Sequence, residues 1–160
     1  PYRGFLYAGL MLTAEGPRVI EFNCRLGDPE AQAVLPLMRD GLLEPLRAVA
    51  EGSGLEGWRP AAPAGAALTT VVVSGGYPGS VETGLPIDLP EDLEGPDLHV
   101  YHAGTRRDDG RLVTAGGRVF GVTGLGPDLE TAGARSRAAA GRIRFSGADW
   151  RPDIGRSDTA

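Results

Sequence analysis

Lysine is absent from this sequence, and all 16 residues in the Lys+Arg count are arginine. Cysteine, asparagine and glutamine each occur once among the 160 residues. A single cysteine excludes an internal disulfide, and no apolar run approaches the roughly 20 residues that span a bilayer. We therefore expect a cytoplasmic chain without a membrane partner. Codon bias explains a lysine-free composition rich in Ala, Gly and Arg as well as function does.

An excess of positive charge is also missing. The formal net charge is -5 and the sequence pI is about 5.0, which argues against a nucleic-acid-binding surface. The length fits one domain or two small ones. With 25 glycines and 13 prolines, the chain should fold into something rich in turns. It begins at Pro1 with no signal segment, so we expect the start to be internal to a longer chain.

The first third of the sequence predicts a β-hairpin followed by two helices. Apolar residues at 5–13 and 18–25 form the two strands, and the Gly16-Pro17 step favours a four-residue loop between them. Asp28 can cap a helix over 29–38 whose first residue is Pro29. A second helix is predicted over 42–51.

The rest of the chain predicts a separate β-rich unit, which makes the fold class α+β. Residues 1–58 form the first unit, 59–66 a linker, 67–150 the β-rich unit and 151–160 a frayed tail. Strands are predicted at 67–73, 98–105, 111–115 and 116–126, with an acidic, loop-rich surface at 82–97. Asp128 can cap a final helix that runs to about Arg144, with Leu129, Ala132, Ala139 and Ile143 as its apolar stripe.

The second hairpin strand carries the polar side chains that could form a functional site. Side chains alternate along a strand, so Glu21, Asn23 and Arg25 should share one face. Ile20, Phe22 and Cys24 should share the other, with Cys24 as a buried core thiol. Carboxylate and amide oxygens two residues apart suit Mg²⁺, which completes its octahedron with water and substrate phosphates. Glu-x-Asn alone is a weak motif, however, because an ordinary solvated strand face often carries such residues.

The context of this strand favours a functional site. Arg25 can bind an anionic group bidentately. The turn that follows, through Gly27 and Asp28, begins a helix whose free N–H groups can bind an anion. Two further positions stay open: Tyr77 packs or lines a pocket, and His99 and His102 lie on opposite faces of a strand, which disfavours a metal pair.

Several ordered motifs resemble one enzyme family. YRGFLYAGLMLT and VIEFNCRLGDPEAQ are similar to the C-terminal part of ATP-grasp enzymes, specifically the phosphoribosylamine–glycine ligase family. Residues 25–32, RLGDPEAQ, resemble the signature of that family. GGYPG at 75–79, HAGT at 102–105 and GGRVFGVTGLG at 116–126 are further matches. The resemblance implies the C-terminal part of an ATP-grasp domain, followed by a small β-rich domain with a C-terminal helix.

The resemblance also implies a reaction and roles for individual residues. The reaction joins glycine to 5-phosphoribosylamine with ATP, through glycyl phosphate, and gives glycinamide ribonucleotide, ADP and phosphate in purine biosynthesis. Glu21 and Asn23 would bind Mg²⁺ or Mn²⁺, and Arg25 would orient the carboxylate or stabilise the acyl phosphate. The remaining implied substrate contacts are Gly27, Asp28, Pro29, Glu30 and Arg118. Arg118 would bind the ribose phosphate, while for Asp28 a helix cap is the open alternative.

The match has one departure and leaves alternatives. Many ATP-grasp enzymes place an acidic metal ligand where this chain has Gly9, although the glycine ligase family also reads YAGLM there. The phosphate-binding lysine of the family would come from an upstream part of the same enzyme, so we expect the isolated chain to be inactive and the enzyme to be a monomer. The alternatives are another ATP-grasp carboxylate–amine ligase or carboxylase, and a non-catalytic fragment.

Overall fold

The computed structural model describes residues 2–38 and 40–156. They form an α+β fold, which confirms the predicted class. The strands are β1 (Tyr7–Thr13), β2 (Gly16–Asn23), β3 (Ala66–Val73), β4 (Leu98–His102), β5 (Thr105–Asp108), β6 (Arg111–Thr114) and β7 (Arg118–Gly126). The α-helices are α1 (Glu30–Val34), α2 (Leu43–Glu51) and α3 (Leu129–Ala140), and 3₁₀ turns lie at Leu35–Leu37 and Glu91–Leu93.

Strands β1 and β2 form the predicted antiparallel hairpin, with a different loop and an irregular register. Thr13 pairs with Gly16, so the loop has two residues and the expected four-residue loop is wrong. Gly16 has a φ of +107°, which glycine adopts without a Cβ clash. Gly9 pairs with Glu21 and the next residue, Leu10, with Val19, which leaves Ile20 as a bulge. The bulge interrupts strict side-chain alternation directly before Glu21.

The two helices after the hairpin are shorter than the sequence pattern predicted. Helix α1 ends at Val34, and the chain tightens into the 3₁₀ turn Leu35–Leu37. Pro36 lacks the N–H that an α-helix would need at this point, which explains the early end. Helix α2 confirms the second predicted helix, and it ends at Glu51, where the following residue, Gly52, caps it in the left-handed conformation with φ of +75°. Residues 52–65 contain no helix or strand.

The β-rich unit is a three-stranded antiparallel sheet in the order β3-β7-β4, covered by α3. Its fully buried side chains include Val72, Phe120 and Val122, and Leu93 from the acidic loop joins the same core. The predicted surface at 82–97 is accordingly loop-rich but anchored by apolar residues, since Ile87 and Leu89 also pack against this core. Strands β5 and β6 form a separate ribbon.

Helix α3 begins as predicted and ends earlier. The Asp128 carboxylate accepts a hydrogen bond of 2.7 Å from the Thr131 N–H, which confirms the cap. The helix ends at Ala140 rather than near Arg144, where i→i+3 bonds such as Arg142 N–H to Ala139 O replace the α-helical pattern. Leu129 is 46% exposed and so is wrong as a member of the apolar stripe, whereas the other three members are buried.

The residues that follow the sheet unit are held by specific contacts. Arg137 donates a hydrogen bond of 3.1 Å to the Ile154 carbonyl, and Arg151 pairs with Asp153. The frayed tail predicted over 151–160 stays a prediction, and residues 157–160 lie outside the described part of the chain. Across residues 2–38 and 40–156, none of the helices combines the length and hydropathy needed to cross a bilayer.

Candidate functional site

Glu21 and Asn23 lie at the open end of the hairpin. Asn23 is partly buried and pairs with Tyr7 across the strands, while Glu21 is exposed and pairs with Gly9. A Cβ placed on Gly9 would lie 3.1 Å from the Glu21 Cγ. Gly9 therefore leaves room for the Glu21 side chain over the backbone of β1.

The donor chemistry at this end fits a hard divalent cation with few protein ligands. Glu21 offers a carboxylate and Asn23 an amide oxygen, and in the described part of the chain the Glu21 carboxylate takes part in no ion pair. No group of three or more His, Cys, Asp or Glu residues within 2–38 and 40–156 could hold a metal by itself. Two oxygen donors match Mg²⁺, whose remaining positions are filled by water and phosphate.

Tyr7 connects this end of the hairpin to helix α1, and sequence reasoning missed it. Its hydroxyl donates a hydrogen bond of 3.1 Å to the Glu30 Oε1. That hydrogen bond raises the pKa of Tyr7 above its ordinary value, and the negative charges of Glu30 and Glu21 act in the same direction. The signal that could have found Tyr7 is its place opposite Asn23, which depends on the register across the two-residue loop.

The segment from Cys24 to Glu30 turns away from the hairpin. Gly27 is buried under the Glu30 carboxylate, which occupies the space of a Cβ at that position. Arg25 is exposed, and its Nη1 donates to the Leu26 carbonyl at 2.9 Å. Cys24 is exposed, so its prediction as a buried core thiol is wrong. The cause is that no element among the described residues covers this face of the hairpin.

Asp28 does not cap helix α1, so the structural alternative left open by the sequence is wrong. The N-cap residue is Pro29, which has no side-chain capping bond. The Asp28 Oδ1 instead accepts from the Gln32 Nε2 at 2.9 Å, and its Oδ2 accepts from the Arg118 Nη2 at 2.9 Å. The Arg118 Nη1 also donates to the Asp28 carbonyl at 3.0 Å. Both carboxylate oxygens and the backbone carbonyl of Asp28 are thus engaged.

A mainly apolar groove of about 450 Å³ adjoins this contact, and we call it the β7 groove. Its lining includes Pro29, Thr69, Tyr77, Arg118, Trp150 and Arg151. Tyr77 therefore lines a pocket as well as packing, since a Cβ on Gly117 would lie 2.6 Å from the Tyr77 Cδ2. His102 lies elsewhere and its Nδ1 is 2.9 Å from the Thr105 hydroxyl oxygen.

The structure thus brings the predicted site residues into two adjoining groups. Glu21, Asn23 and Glu30 gather around Tyr7 at the end of the hairpin. Asp28, Pro29 and Arg118 gather at the β7 groove. Segment 25–30, which contains Arg25, joins the two groups. A second groove of about 430 Å³ is lined by residues such as Pro36, Gly65 and Arg135, and contains none of the predicted site residues.

Two family comparisons cover most of the chain. Residues 67–157 match the family described as phosphoribosylglycinamide synthetase, C domain. Residues 1–31 match the family described as phosphoribosylglycinamide synthetase, ATP-grasp (A) domain.

Individual relatives give the same result. A phosphoribosylamine–glycine ligase of Synechocystis is 47% identical over 96% of this chain and 37% of the relative. A trifunctional purine biosynthetic protein, adenosine-3, of Gallus gallus is 46% identical over 97% of this chain and 16% of the relative. The chain thus spans about a third or less of the length of these relatives.

Solved structures agree with the sequence relatives. The phosphoribosylamine–glycine ligase of Thermotoga maritima has a TM-score of 0.82 and 37% identity, and the match covers 95% of this chain and 37% of that chain. The biotin carboxylase domain of a Hydrogenobacter thermophilus 2-oxoglutarate carboxylase has a TM-score of 0.59 and 15% identity, over 92% of this chain and 33% of that one. The second likeness shows the fold alone.

Proposed function

Because the chain belongs to the phosphoribosylglycinamide synthetase family, we propose that it supplies the C-terminal part of an ATP-dependent ligase in purine biosynthesis. The ligase joins glycine to 5-phosphoribosylamine and releases ADP and phosphate. Relatives that carry this segment are named for that ligation or for purine biosynthesis.

One structural observation carries the proposal. Segment 25–30 is held between the hairpin, through the Tyr7–Glu30 hydrogen bond, and strand β7, through the Arg118–Asp28 contact. The segment therefore lies beside the oxygen donors at the end of β2 and beside the β7 groove. An active site that assembles two anionic substrates needs such adjacent groups of polar side chains.

The proposed chemistry has two steps. A glycine carboxylate oxygen attacks the γ-phosphorus of ATP, and the bond to the leaving ADP breaks to give glycyl phosphate. The amine of 5-phosphoribosylamine then attacks the acyl carbon and gives up a proton as the amide forms. The C–O bond to the bridging oxygen breaks, so that phosphate leaves with that oxygen while the carbonyl oxygen stays in the amide. Both steps concentrate negative charge, so the site must supply positive charge and hydrogen-bond donors at fixed positions.

Residues of this chain supply part of that environment. The Arg25 guanidinium is suited to orient the glycine carboxylate or stabilise the acyl phosphate, because its planar fork matches both anions. Glu21 and Asn23 would hold Mg²⁺ or Mn²⁺, which when bound neutralises phosphate charge. Segment 27–30 shapes the pocket around glycine. A monomeric state and a cytoplasmic location stay predictions.

The test replaces Glu21 with alanine in the complete ligase that carries this segment. We expect glycine-dependent ADP formation to fall by about 100-fold or more, because a carboxylate donor to the cation is removed. The matched control is Glu15→Ala, which removes a carboxylate from the same hairpin where it pairs only with Arg18 at 2.6 Å. The control should retain wild-type turnover.

Two results would contradict the proposal. Near-normal turnover of Glu21→Ala at saturating Mg²⁺ would remove Glu21 from the site. ADP formation that depends on bicarbonate, or on another carboxylate, instead of glycine would replace the glycine ligase with a different ATP-grasp enzyme.

A further inference from the structure

The contact between Asp28 and Arg118 joins residues 90 positions apart in sequence. We infer that Arg118 is a positioning residue, which holds segment 25–30 in its working conformation by binding Asp28 and does not itself bind substrate. The inference rests on the proposed function, in which segment 25–30 forms part of the ligase site.

The geometry of the contact supports positioning. One terminal nitrogen of Arg118 donates to the Asp28 carbonyl at 3.0 Å and the other to its carboxylate at 2.9 Å. The planar fork thereby fixes backbone and side chain of one residue together, which a lysine ammonium cannot do with the same geometry. Because the second carboxylate oxygen accepts from Gln32 at 2.9 Å, the contact extends into helix α1.

The backbone of Arg118 is fixed in the sheet. It is the first residue of β7 and pairs with Val73 of β3. Its carbonyl accepts a hydrogen bond of 2.7 Å from the Gly104 N–H, and the next two residues, Val119 and Phe120, are fully buried. Because its backbone is fixed, the Arg118 side chain can hold segment 25–30 at a defined place relative to the sheet.

The Arg118–Asp28 pair is partly exposed to solvent, which separates its effect on the segment from its effect on global stability. The side chains of Arg118 and Asp28 are 39% and 51% exposed. An ion pair that is this exposed contributes little to global stability. Its loss should therefore loosen segment 25–32 without unfolding the sheet, and the two effects can be separated by experiment.

The experiment uses the complete ligase and the variants Arg118→Gln, Arg118→Lys, Asp28→Asn and the double variant Arg118→Gln/Asp28→Asn. Hydrogen–deuterium exchange without substrates should be about fivefold faster over residues 25–32 in each single variant. Exchange over this segment should be no faster in the double variant than in Arg118→Gln, since the same Arg118–Asp28 contact is lost in both. Arg142→Gln, which breaks an exposed pair with Asp92, is the matched control and should leave this segment unchanged.

Kinetics supply the second measurement. Arg118→Gln and Asp28→Asn should lower kcat/KM for glycine by a similar factor of about ten, and Arg118→Lys should not restore it.

The inference is overturned if exchange over 25–32 is unchanged in Arg118→Gln. It is also overturned if Arg118→Gln raises only the KM for phosphoribosylamine while Asp28→Asn behaves like the wild type, since that pattern marks a direct phosphate ligand. If the wild-type protein forms no ADP with glycine, the proposed function fails, and the exchange measurement still decides on the pair.

Discussion

Tyr7 and Asp28 each join parts of the candidate site that are separate in sequence. Tyr7 bonds Glu30 from the first strand of the hairpin, and Asp28 accepts from Arg118 and Gln32. Alternation along the second strand identified Glu21, Asn23 and Arg25 as candidates, and the family resemblance added segment 27–30. The Tyr7–Glu30 and Arg118–Asp28 contacts join residues 23 and 90 positions apart, so they depend on the tertiary fold and cannot be predicted from local spacing.

Asp128 gives a prediction of pH dependence at the scale of one residue. The hydrogen bond from the Thr131 N–H lowers the pKa of Asp128 below its ordinary 3.8. A lowered pKa in the folded state stabilises the fold at pH values above about 3.8, and this contribution is lost as the pH falls through the folded pKa. We expect the Tm of the wild-type chain to fall over that acid range in part for this reason.

Two variants at this position separate charge from capping. Asp128→Asn keeps an oxygen acceptor but carries no charge, so its Tm at pH 7 should lie below that of the wild type, and the two Tm values should converge in acid. Asp128→Ala removes the acceptor and should lower the Tm at every pH. Thermal unfolding between pH 2.5 and 7 measures both. Equal acid dependence in the wild type and Asp128→Asn would contradict the assignment.

At the scale of elements, the approach of helix α3 to strand β7 depends on a glycine. Gly124 is buried, and a Cβ there would meet the Ala132 carbonyl and lie 2.8 Å from the Ser136 backbone nitrogen. Gly124→Ala would push helix and strand apart, so we expect the free energy of unfolding to fall by about 3 kcal/mol. Gly95→Ala is the control, because a Cβ there meets no atom within 4 Å. Urea denaturation measures the difference, and equal stability of the two variants would refute the steric explanation.

The sequence predicted most elements and missed the details that depend on packing or register. Alternating and apolar patterns located the hairpin, helix α2 and strands β3 and β7, and the N-cap preference of aspartate located the Asp128 cap. Strand β5 was not separated from β4, because HAGT contains no strong turn signal, although the backbone bends at residues 103–104. The bulge at Ile20 and the two-residue loop were missed because register is set by cross-strand pairing.

At the scale of the whole molecule, the hairpin part and the sheet unit differ in how many buried apolar residues they contain. The buried cluster lies entirely within residues 72–143. On the hairpin, Leu12, Ile20 and Phe22 are 82%, 64% and 61% exposed. In the related ligases, of which this segment is about a third, further chain is available to pack on such a face.

This asymmetry predicts the pattern of limited proteolysis of the 160-residue chain. Cleavage should occur first within residues 2–65, because few buried contacts protect that part, and should leave a resistant fragment that begins between 52 and 66. Mass spectrometry of a time course identifies the fragment. First cleavage inside strands β3 or β7 would show that the sheet unit is the less stable part.

The strand order β3-β7-β4 also constrains how the sheet can form during synthesis. The central strand is made last of the three, and the Thr69 and Thr123 hydroxyls that meet across β3 and β7 are 54 residues apart. On the ribosome, β3 and β4 emerge without the strand that lies between them, and their edges stay open until β7 follows. The sheet therefore completes only after translation has passed Gly126, and helix α3, which is made next, can cover it only then.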